Sequence, residues 1–417
     1  MPGNVVIIGA GAAGIAAARE LTERGVRPTI LEARSRIGGR AWTETATFGF
    51  PVDLGCSWLH SADLNPWTTY ARHAGFTVRE RSPQWQRRIG AAETTPEYQA
   101  AWLGAFRRNE TLIAAAARAG RDVSVADVVP IDSFRPLFDC VMSWLMGVDT
   151  ARMSAVDFDR YADSDRNWVV TEGLGSVVAH AARQLDVRLD TPVKTIDWTG
   201  RHVRLETSRG ALEADAVIVT APTNVLAEES IRFTPAAPAL LEACLGVPLG
   251  TANKVFFEMA PGSLPYEGSV HFTGTDRSVR TASYQTRPLE REVLLAYFGG
   301  GLARELEERD ELENFALDEL ASIFGASFPK QVRRTLHSGW TRDPWSRGAY
   351  SAALPGCAHL RSQLSEPLGD RVFFAGEACS LDYFGTINGA SQTGVRAAAA
   401  VVRKLNEDDS SPLPSLL

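Results

Sequence analysis

The chain opens with a short apolar run followed at once by closely spaced glycines. Val5–Ile8 is a β-branched run of the kind that forms a fully buried parallel strand. A helix is expected over Ile15–Arg24, ended by Gly25, and Pro28–Leu31 is the next strand, with Glu32 at its end. The order of strand, glycine-rich turn, helix and strand predicts a βαβ unit.

Apolar runs also predict elements in the second half of the chain. Ala214–Pro222 and Asn253–Glu258 are typical of strands. Arg371–Glu377 is a buried strand that ends in Ala-Gly-Glu, and an alanine-rich helix follows from Thr386 to about residue 404. One helix is expected around Arg304–Phe324, with its charged first half on a solvated face.

Size and composition limit the classes of protein. The 417 residues are too many for one ordinary core, which predicts two domains or one with insertions. A net charge of -7 argues against nucleic-acid binding and weakly favours cationic substrates. Five widely spaced cysteines without Cys-x-x-Cys predict neither disulfides nor a metal site, and a reducing cytosol is expected. We expect no membrane segment, because no apolar run reaches the ~18 residues that a bilayer requires.

The glycines after the first strand have separate physical roles. Gly9 permits a tight turn, Gly11 lets the backbone approach a pyrophosphate, and Gly14 lets the helix pack on the strand. Ala13 lies in the same turn, where free N–H groups of the helix face a bound phosphate. Glu32 follows at the distance at which an acidic side chain accepts hydrogen bonds from ribose hydroxyls. This ordered context favours a nucleotide site over a glycine-rich turn without a ligand.

The segment after Glu32 distinguishes FAD from NAD. It resembles the E-x-x-x-x-x-G-G-R segment of the glutathione-reductase-like flavoproteins, whose Gly-Gly-Arg turn passes beside the FAD pyrophosphate. The contacts implied are Ala33, Arg34, Gly39 and Arg40. The planar, bidentate guanidinium of Arg40 suits a phosphate, whereas Arg36 is expected in a solvated loop.

The Ala-Gly-Glu strand and the helix after it resemble the second FAD motif of the flavin amine oxidases. The resemblance implies that Glu377 binds the ribityl chain and that the last helix points its N-terminus at the flavin N1–C2=O edge. A helix N-terminus there would stabilise the negative charge of the reduced flavin. Gly376, Thr386 and Ile387 are the further contacts implied.

Two interior segments resemble particular amine oxidases. Asp53–His60 is similar to a D/E-L-G-A-S/T-W-I-H segment of the animal polyamine oxidases, in which the histidine sits at the substrate cavity; a hydrogen-bonded surface histidine is the alternative for His60. The cofactor contacts implied are Gly55, Cys56, Ser57 and Trp58. Lys254 matches the family lysine that holds a water against flavin N5, and a Lys drawn into a cavity would have a lowered pKa.

The segment Trp340–Tyr350 resembles the W-x-x-[DE]-x-x-x-x-G-x-Y stretch of the same family, with Trp340 as a cofactor contact. Ala349 stands where monoamine oxidases carry the cysteine bonded to flavin C8α, so non-covalent FAD is expected. Tyr350 matches one wall of the aromatic cage. Thr386 replaces the second tyrosine, as in polyamine oxidases and lysine-specific histone demethylases, which implies a more open cavity that Tyr383 and Phe384 line instead.

These resemblances imply an α/β fold: a Rossmann-like, glutathione-reductase-like FAD-binding domain with an inserted α+β substrate-binding domain. The FAD-binding domain is expected over residues 1–80, 168–245 and 339–417, with Val193 meeting the adenine. The substrate-binding domain is expected over 81–167, which looks helical, and 246–338, which mixes strands with a helix.

The implied activity is FAD-dependent oxidation of an amine to an imine, with hydride transfer to flavin N5 and reoxidation by O2 to H2O2. The expected substrate is a polyamine or another secondary or primary amine, in a monomer or homodimer. The catalytic candidates are Lys254, Tyr350, His60 and Thr386.

Two alternatives remain open. One is an L-amino acid oxidase, or another oxidase or desaturase of the superfamily; an amino acid oxidase needs an arginine for the substrate carboxylate. The candidates for that arginine are Arg87, Arg88, Arg280 and Arg287. The other is a flavoprotein that recognises a peptide, as histone demethylases do, although the chain lacks their coiled-coil insertion.

Overall fold

A computed structural model describes residues 3–80 and 87–410 of the chain, so the predicted domain limits at 1, 81 and 417 lie outside the described residues. The helices are α1 Ala12–Glu23, α2 Pro66–His73, α3 Pro96–Arg118, α4 Val125–Val128, α5 Arg135–Met146, α6 Ala155–Asp159, α7 Leu174–Ala181, α8 Thr223–Ala227, α9 Pro238–Gly246, α10 Gly300–Arg309, α11 Leu312–Phe324, α12 Leu360–Gln363 and α13 Ile387–Ser410. The strands are β1 Val5–Ile8, β2 Thr29–Leu31, β3 Thr43–Glu44, β4 Val52–Asp53, β5 Val78–Arg79, β6 Arg88–Ile89, β7 Ala92–Glu93, β8 Val169–Val170, β9 Asp186–Arg188, β10 Val193–Asp197, β11 Val203–Thr207, β12 Gly210–Ala214, β13 Ala216–Val219, β14 Arg232–Thr234, β15 Ala252–Met259, β16 Val270–Thr273, β17 Ser283–Thr286, β18 Val293–Gly299, β19 Val332–His337 and β20 Val372–Phe374.

A five-stranded sheet in the order β20-β13-β1-β2-β9 contains the N-terminal βαβ unit. Each neighbouring pair in it is parallel. Val5 and Ile7 point to the face covered by α1 and α13, while Val6 and Ile8 pack toward β10 and β11. Because both faces are buried, the strand is continuously β-branched rather than alternating. The predicted α/β fold with a parallel, Rossmann-like sheet is therefore confirmed.

The described residues form two further large sheets and two small two-stranded sheets, β3-β4 and β5-β8. Strands β12, β11, β10 and β14 form a four-stranded sheet, and the seven-stranded sheet has the order β19-β15-β18-β17-β16-β6-β7. In the second, α10 and α11 cover one face and share its apolar core. The expectation that residues 81–167 are helical is wrong for Arg88–Glu93, because β6 and β7 form a hairpin that extends the seven-stranded sheet.

The structure changes two predicted helices. The first begins at Ala12, earlier than the predicted Ile15. The helix expected over Arg304–Phe324 is two helices, separated at Asp310, whose φ of 61° is left-handed and cannot continue a helix. The expectation of a wholly solvated charged face is also wrong, since Glu307 is 3% exposed.

Helices α1 and α13 lie directly against each other on the parallel sheet. A Cβ on Gly394 of α13 would come within 2.2 Å of the Ala13 carbonyl oxygen, so only glycine permits this backbone approach. The last long helix therefore holds the first one in place. No helix in the described part of the chain has the length and apolarity needed to cross a membrane.

Gly14→Ala tests the packing of α1 on β1. A Cβ at this position would lie 2.0 Å from the Gly9 carbonyl oxygen, so we expect a loss of about 1–3 kcal/mol or more in the free energy of unfolding, measured by chemical denaturation. Gly104→Ala is the matched control. Its Cβ would meet no described atom within 4 Å apart from the neighbouring backbone of its own helix, and its position inside α3 predicts a gain of about 0.5–1 kcal/mol. Equal midpoints for both variants would contradict the close packing.

Candidate functional site

The glycine-rich turn places the start of α1 at the edge of the parallel sheet. Gly9 has a φ of 104°, which allows the sharp turn after β1. Gly11 is the N-cap of α1 and supplies no side-chain cap, so the first N–H groups of the helix face outward from the turn. Such a helix start favours an anion.

Glu32 lies beside the glycine-rich turn and is held there by backbone hydrogen bonds. Its side chain is buried, and its two carboxylate oxygens accept hydrogen bonds from the backbone N–H groups of Ala10 and Arg34 at 2.7 and 2.9 Å. Each carboxylate oxygen has a second lone pair, so Glu32 is fixed beside the glycine turn and can still accept a further hydrogen bond.

Two arginines in the loop after Glu32 make contacts with other side chains of the protein. Arg34 donates to Asp343 Oδ1 at 2.5 Å and to Ser346 Oγ at 2.7 Å, which ties the loop to the segment before Tyr350. Arg36 was expected to be solvated, and this is wrong. Its guanidinium lies 4.3 Å from the centre of the Trp42 ring, and burial lowers its pKa to about 10.

Arg40 and Glu377 join the two ends of the chain. Arg40 Nη1 donates to the Ala349 carbonyl at 2.5 Å and to Glu377 Oε1 at 2.8 Å. Glu377 Oε2 accepts from Ser351 Oγ at 2.6 Å and from the Gly385 N–H at 2.8 Å. Burial alone would raise the pKa of Glu377, but the charge of Arg40 and these hydrogen bonds outweigh it and lower the pKa. The carboxylate is therefore held ionised.

One cavity of about 1660 Å³ connects these groups with the interior motifs. It exceeds the roughly 300–1,000 Å³ typical of drug-sized ligands. Every predicted site residue except Gly14 lines it: Gly9, Gly11, Ala13, Glu32, Ala33, Arg34, Gly39, Arg40, Gly55, Cys56, Ser57, Trp58, His60, Val193, Lys254, Trp340, Tyr350, Gly376, Glu377, Thr386 and Ile387. The structure thus brings segments from the whole chain to one space.

Two glycines leave room in the cavity that a side chain would fill. A Cβ on Gly11 would have the Gly38 carbonyl oxygen as its nearest described neighbour, at 3.9 Å. A Cβ on Gly376 would meet no described atom within 4 Å. Both positions line the cavity next to the helix start and Glu377. The residues present therefore fit a dinucleotide such as FAD.

Lys254 lines the cavity from β15. Its ammonium donates to the carbonyls of Asp53 and Gly55 at 2.9 and 2.5 Å and to Ser57 Oγ at 2.9 Å. Burial lowers the pKa of Lys254 to about 8, against the opposing charge of Asp53. The amine is thus a fixed positive charge at neutral pH with all three donors directed at the 53–57 segment.

Tyr350 is held by a second tyrosine that sequence reasoning missed. Its hydroxyl donates to the Trp144 carbonyl at 2.5 Å and lies 2.8 Å from the hydroxyl of Tyr297. Tyr297 is on β18, and burial raises its pKa to about 12. No local motif marks Tyr297, since the contact depends on how β18 approaches the loop that carries Tyr350.

His60 and Thr386 both form hydrogen bonds within the protein. His60 Nδ1 lies 2.7 Å from Asn167 Oδ1, and burial lowers the pKa of His60, partly offset by the charge of Asp163. The imidazole is neutral at physiological pH as a result. The Thr386 hydroxyl donates to the Tyr383 carbonyl at 2.7 Å and accepts from the Gly389 N–H at 3.0 Å. It caps α13, and its direct catalytic role stays a prediction.

The far end of the cavity combines apolar walls with carboxylates. Helices α3 and α5 contribute its aromatic and aliphatic side chains, of which Trp102, Phe106 and Trp144 are the largest. Four exposed acidic residues of α3, α6 and the segment after α6 are among the lining residues of the cavity: Glu110, Asp159, Asp163 and Asp165. Burial and the charge of Asp165 raise the pKa of Glu110. This end therefore suits an amine with an apolar body or a second cationic group.

Of the four arginines considered as partners for a substrate carboxylate, two line the cavity and two do not. Arg280 is paired with Glu305 at 2.7 Å and Arg287 with Glu292 at 2.8 Å, and neither lines the cavity. Arg88 and Arg87 do line it. The Arg88 guanidinium lies 4.6 Å from the centre of the Tyr266 ring.

Of the cage residues expected to replace a second tyrosine, Phe384 lines the cavity, whereas Tyr383 is not among its lining residues. Phe384 is 1% exposed and packs edge-on against Tyr161, with ring centres 5.2 Å apart. The wall beside Tyr350 is thus made by Phe384 and by Tyr161, another residue that no sequence motif indicated.

Comparisons with known proteins agree with this geometry. The family model described as "Flavin containing amine oxidoreductase" matches residues 12–118 and 85–402. Probable polyamine oxidase 4 of Arabidopsis thaliana is 28% identical over 464 aligned positions, covering 97% of this chain and 88% of that protein. Lysine-specific histone demethylase 1B of Mus musculus is 25% identical over 444 positions, covering 95% of this chain and 52% of that protein.

Among solved structures, cyclohexylamine oxidase from Brevibacterium oxydans IH-35A aligns with a TM-score of 0.81 at 22% identity, covering 97% of this chain and 100% of that chain. At this identity the likeness supports the fold. It agrees with the parallel sheet and the covering helices described above.

Lys254→Met tests the burial of the amine through the pH dependence of stability. The folded-state pKa of about 8 lies below the unfolded value of about 10.4, so the unfolded chain binds more protons between these pH values. The contribution of Lys254 to the free energy of unfolding therefore rises with pH across that window. From pH 7 to pH 10, denaturant titrations should show the wild type gaining about 2–3 kcal/mol relative to Lys254→Met.

The control for this measurement is Lys330→Met, which removes an exposed lysine outside the cavity. The free energy of unfolding of Lys330→Met should change with pH in the same way as that of the wild type. Parallel pH profiles for the wild type and Lys254→Met would show that Lys254 is not desolvated.

Proposed function

Because the chain belongs to the family of flavin-containing amine oxidoreductases, we propose that it binds FAD non-covalently and oxidises a carbon–nitrogen bond of a small amine. One observation carries the proposal. The glycine turn, the Arg40–Glu377 pair, Lys254 and Tyr350 line the same cavity. A dinucleotide bound at the glycine turn and the Arg40–Glu377 pair would extend toward Lys254 and Tyr350, where the substrate would bind.

FAD would be held by the start of α1, by Glu32 and by the Arg40–Glu377 pair. The start of α1 suits the pyrophosphate, and Glu32 keeps lone pairs for the ribose. Ala349 offers no thiol for a covalent link. The thiol of Cys56 also lines the cavity, but burial, followed by the charge of Asp53, raises its pKa to about 12, so it stays protonated and a poor nucleophile.

When bound, FAD would supply the redox chemistry, as acceptor of a hydride equivalent from the carbon next to the amine nitrogen, with dioxygen as the final electron acceptor. The protein keeps the amine neutral and oriented. Apolar walls disfavour the ammonium form of a substrate. The Tyr350 hydroxyl is committed to Trp144 and Tyr297, so its ring is a fixed wall of the amine path. Neutral His60 is a candidate for binding or proton handling.

Lys254 supports the oxidative half of the reaction. Its ammonium is charged at neutral pH and immobilised by three acceptors. A fixed positive charge stabilises negative charge that develops nearby without reorganisation, which is the situation when dioxygen is reduced. We therefore assign Lys254 to the formation of H2O2 rather than to oxidation of the amine.

The proposed substrate is a polyamine or a related secondary or primary amine. The exposed carboxylates Glu110, Asp159, Asp163 and Asp165 of the cavity lining would attract a second ammonium group, and the net charge of -7 acts in the same direction. Relatives described as polyamine oxidases agree with this choice. An L-amino acid substrate is the second candidate, supported by the position of Arg87 in the cavity lining.

The five cysteines are all free thiols in the structure, which supports the proposed reducing, cytosolic compartment. Monomer or homodimer remains the proposed oligomeric state.

Anaerobic mixing of the purified yellow protein with single compounds tests the function. The panel contains spermine, N-acetylated polyamines, putrescine, aromatic monoamines and L-amino acids. We expect an amine to bleach the flavin absorbance near ~450 nm, a property of the cofactor, and H2O2 to appear when air is admitted. Bleaching by L-amino acids alone would make an L-amino acid the substrate. A protein that stays colourless after incubation with FAD and removal of the excess would exclude the flavin.

The double variant Glu110→Gln/Asp165→Asn tests the attraction of a second cation. For spermine or putrescine, the concentration that gives half-maximal bleaching rate should rise about three- to tenfold, as expected for partly exposed charges. An aromatic monoamine should be unaffected. Glu308→Gln removes an exposed carboxylate outside the cavity and is the control. Equal effects on diamine and monoamine would contradict a role in recognising charge.

A further inference from the structure

Arg361 is the largest fully buried side chain of the described residues, and no motif marks it. Its Nε and Nη2 donate to the two carboxylate oxygens of Asp157 at 2.7 and 2.6 Å. Its Nη1 donates to Ser351 Oγ at 2.9 Å and to the Ala378 carbonyl at 3.0 Å. A charge removed from water requires such partners, because an unpaired one is strongly destabilising.

Ser351 connects this ion pair to the cofactor end of the cavity. Its hydroxyl accepts from Arg361 and donates to Glu377 Oε2 at 2.6 Å. Glu377 is in turn paired with Arg40. The four side chains Asp157, Arg361, Glu377 and Arg40 thus alternate in sign, and their formal charges sum to zero.

The guanidinium of Arg361 also stacks on a residue of the cavity wall. Its guanidinium carbon lies 3.9 Å from the centre of the Phe384 ring, a cation–π contact removed from water. Phe384 lines the cavity, and the N–H of the next residue, Gly385, is held by Glu377. The segment 384–385 is therefore fixed by Arg361 at the ring and by Glu377 at the backbone.

We propose that Arg361 is a positioning residue for both parts of the cavity: through Ser351 it fixes the Glu377 carboxylate, and through stacking it fixes the Phe384 wall. It does not line the cavity itself. This inference rests on the proposed binding of FAD but not on the proposed substrate. A merely structural ion pair would stabilise the fold without affecting the affinity for FAD.

The test is a titration of flavin-free full-length protein with FAD, followed by the quenching of flavin fluorescence. Arg361→Met should raise the Kd for FAD about 10- to 100-fold, the range expected when a charge-assisted hydrogen bond that positions a ligand-binding carboxylate is lost. Because this variant leaves Asp157 buried and unpaired, we also make Asp157→Asn/Arg361→Met. The double variant removes both charges and should recover stability but not the affinity for FAD.

Ser351→Ala breaks the connection while leaving the Arg361–Asp157 pair intact. It should also raise the Kd for FAD. Adding it to Asp157→Asn/Arg361→Met should raise the Kd by less than the product of the separate effects, because both changes act on Glu377. A fully multiplicative result would exclude action through Ser351.

Arg135→Met is the matched control. Arg135 Nε donates to both carboxylate oxygens of Asp139, at 2.9 and 2.8 Å, in a pair that is more exposed than Arg361–Asp157 and does not line the cavity. It should lower the unfolding midpoint without changing the Kd for FAD. An unchanged Kd in the folded Arg361 variants would overturn the proposal and leave Arg361 a structural residue. Because the titration needs no turnover, this result is independent of whether amines are oxidised.

Discussion

Glu377 carries its charge where water is excluded, and the site is arranged around this constraint. An ionised carboxylate in such a place is stable only if donors surround it. Here the donors come from Arg40, Ser351 and Gly385, which belong to separate segments of the chain. Satisfying one side chain therefore brings together the loop after β2, the segment after Tyr350 and the start of α13. The shape of the cavity follows from this convergence.

Lys254 is a buried charge of the opposite sign, and it too is stabilised by surrounding hydrogen-bond partners. Its ammonium is surrounded by two carbonyls and a hydroxyl, so the segment 53–57 adopts the path that these acceptors require. The buried carboxylate Glu307 supports this arrangement from behind. It accepts from Asn253, whose amide oxygen accepts from Ser338, and the Ser338 hydroxyl accepts from the Lys254 N–H. The backbone of the lysine is thus fixed by polar groups that do not line the cavity, while its ammonium is held by groups that do.

Features defined by neighbouring residues could be predicted from the sequence. The turn Gly9–Gly14 and the buried strand Val5–Ile8 depend on backbone geometry that a few adjacent residues determine. Arg361, Tyr297 and Glu307 could not be predicted, because their roles depend on partners distant in sequence. An arginine outside a motif resembles any solvated arginine until the fold removes it from water. Glu307 lies in a charged run that suggested a solvated face, and only the packing of α10 shows otherwise.

The packing of α1 on α13 has a consequence for how the protein is made. The first strand and helix leave the ribosome about 360 residues before the helix that covers them. At typical rates of synthesis this is an interval on the order of half a minute, during which the apolar face of α1 lacks its native cover. Until α13 emerges, this exposed apolar face makes the nascent chain prone to aggregation. Since Glu377 and the start of α13 are also late, the cofactor can enter only a nearly finished chain, and its supply would influence the yield of folded protein.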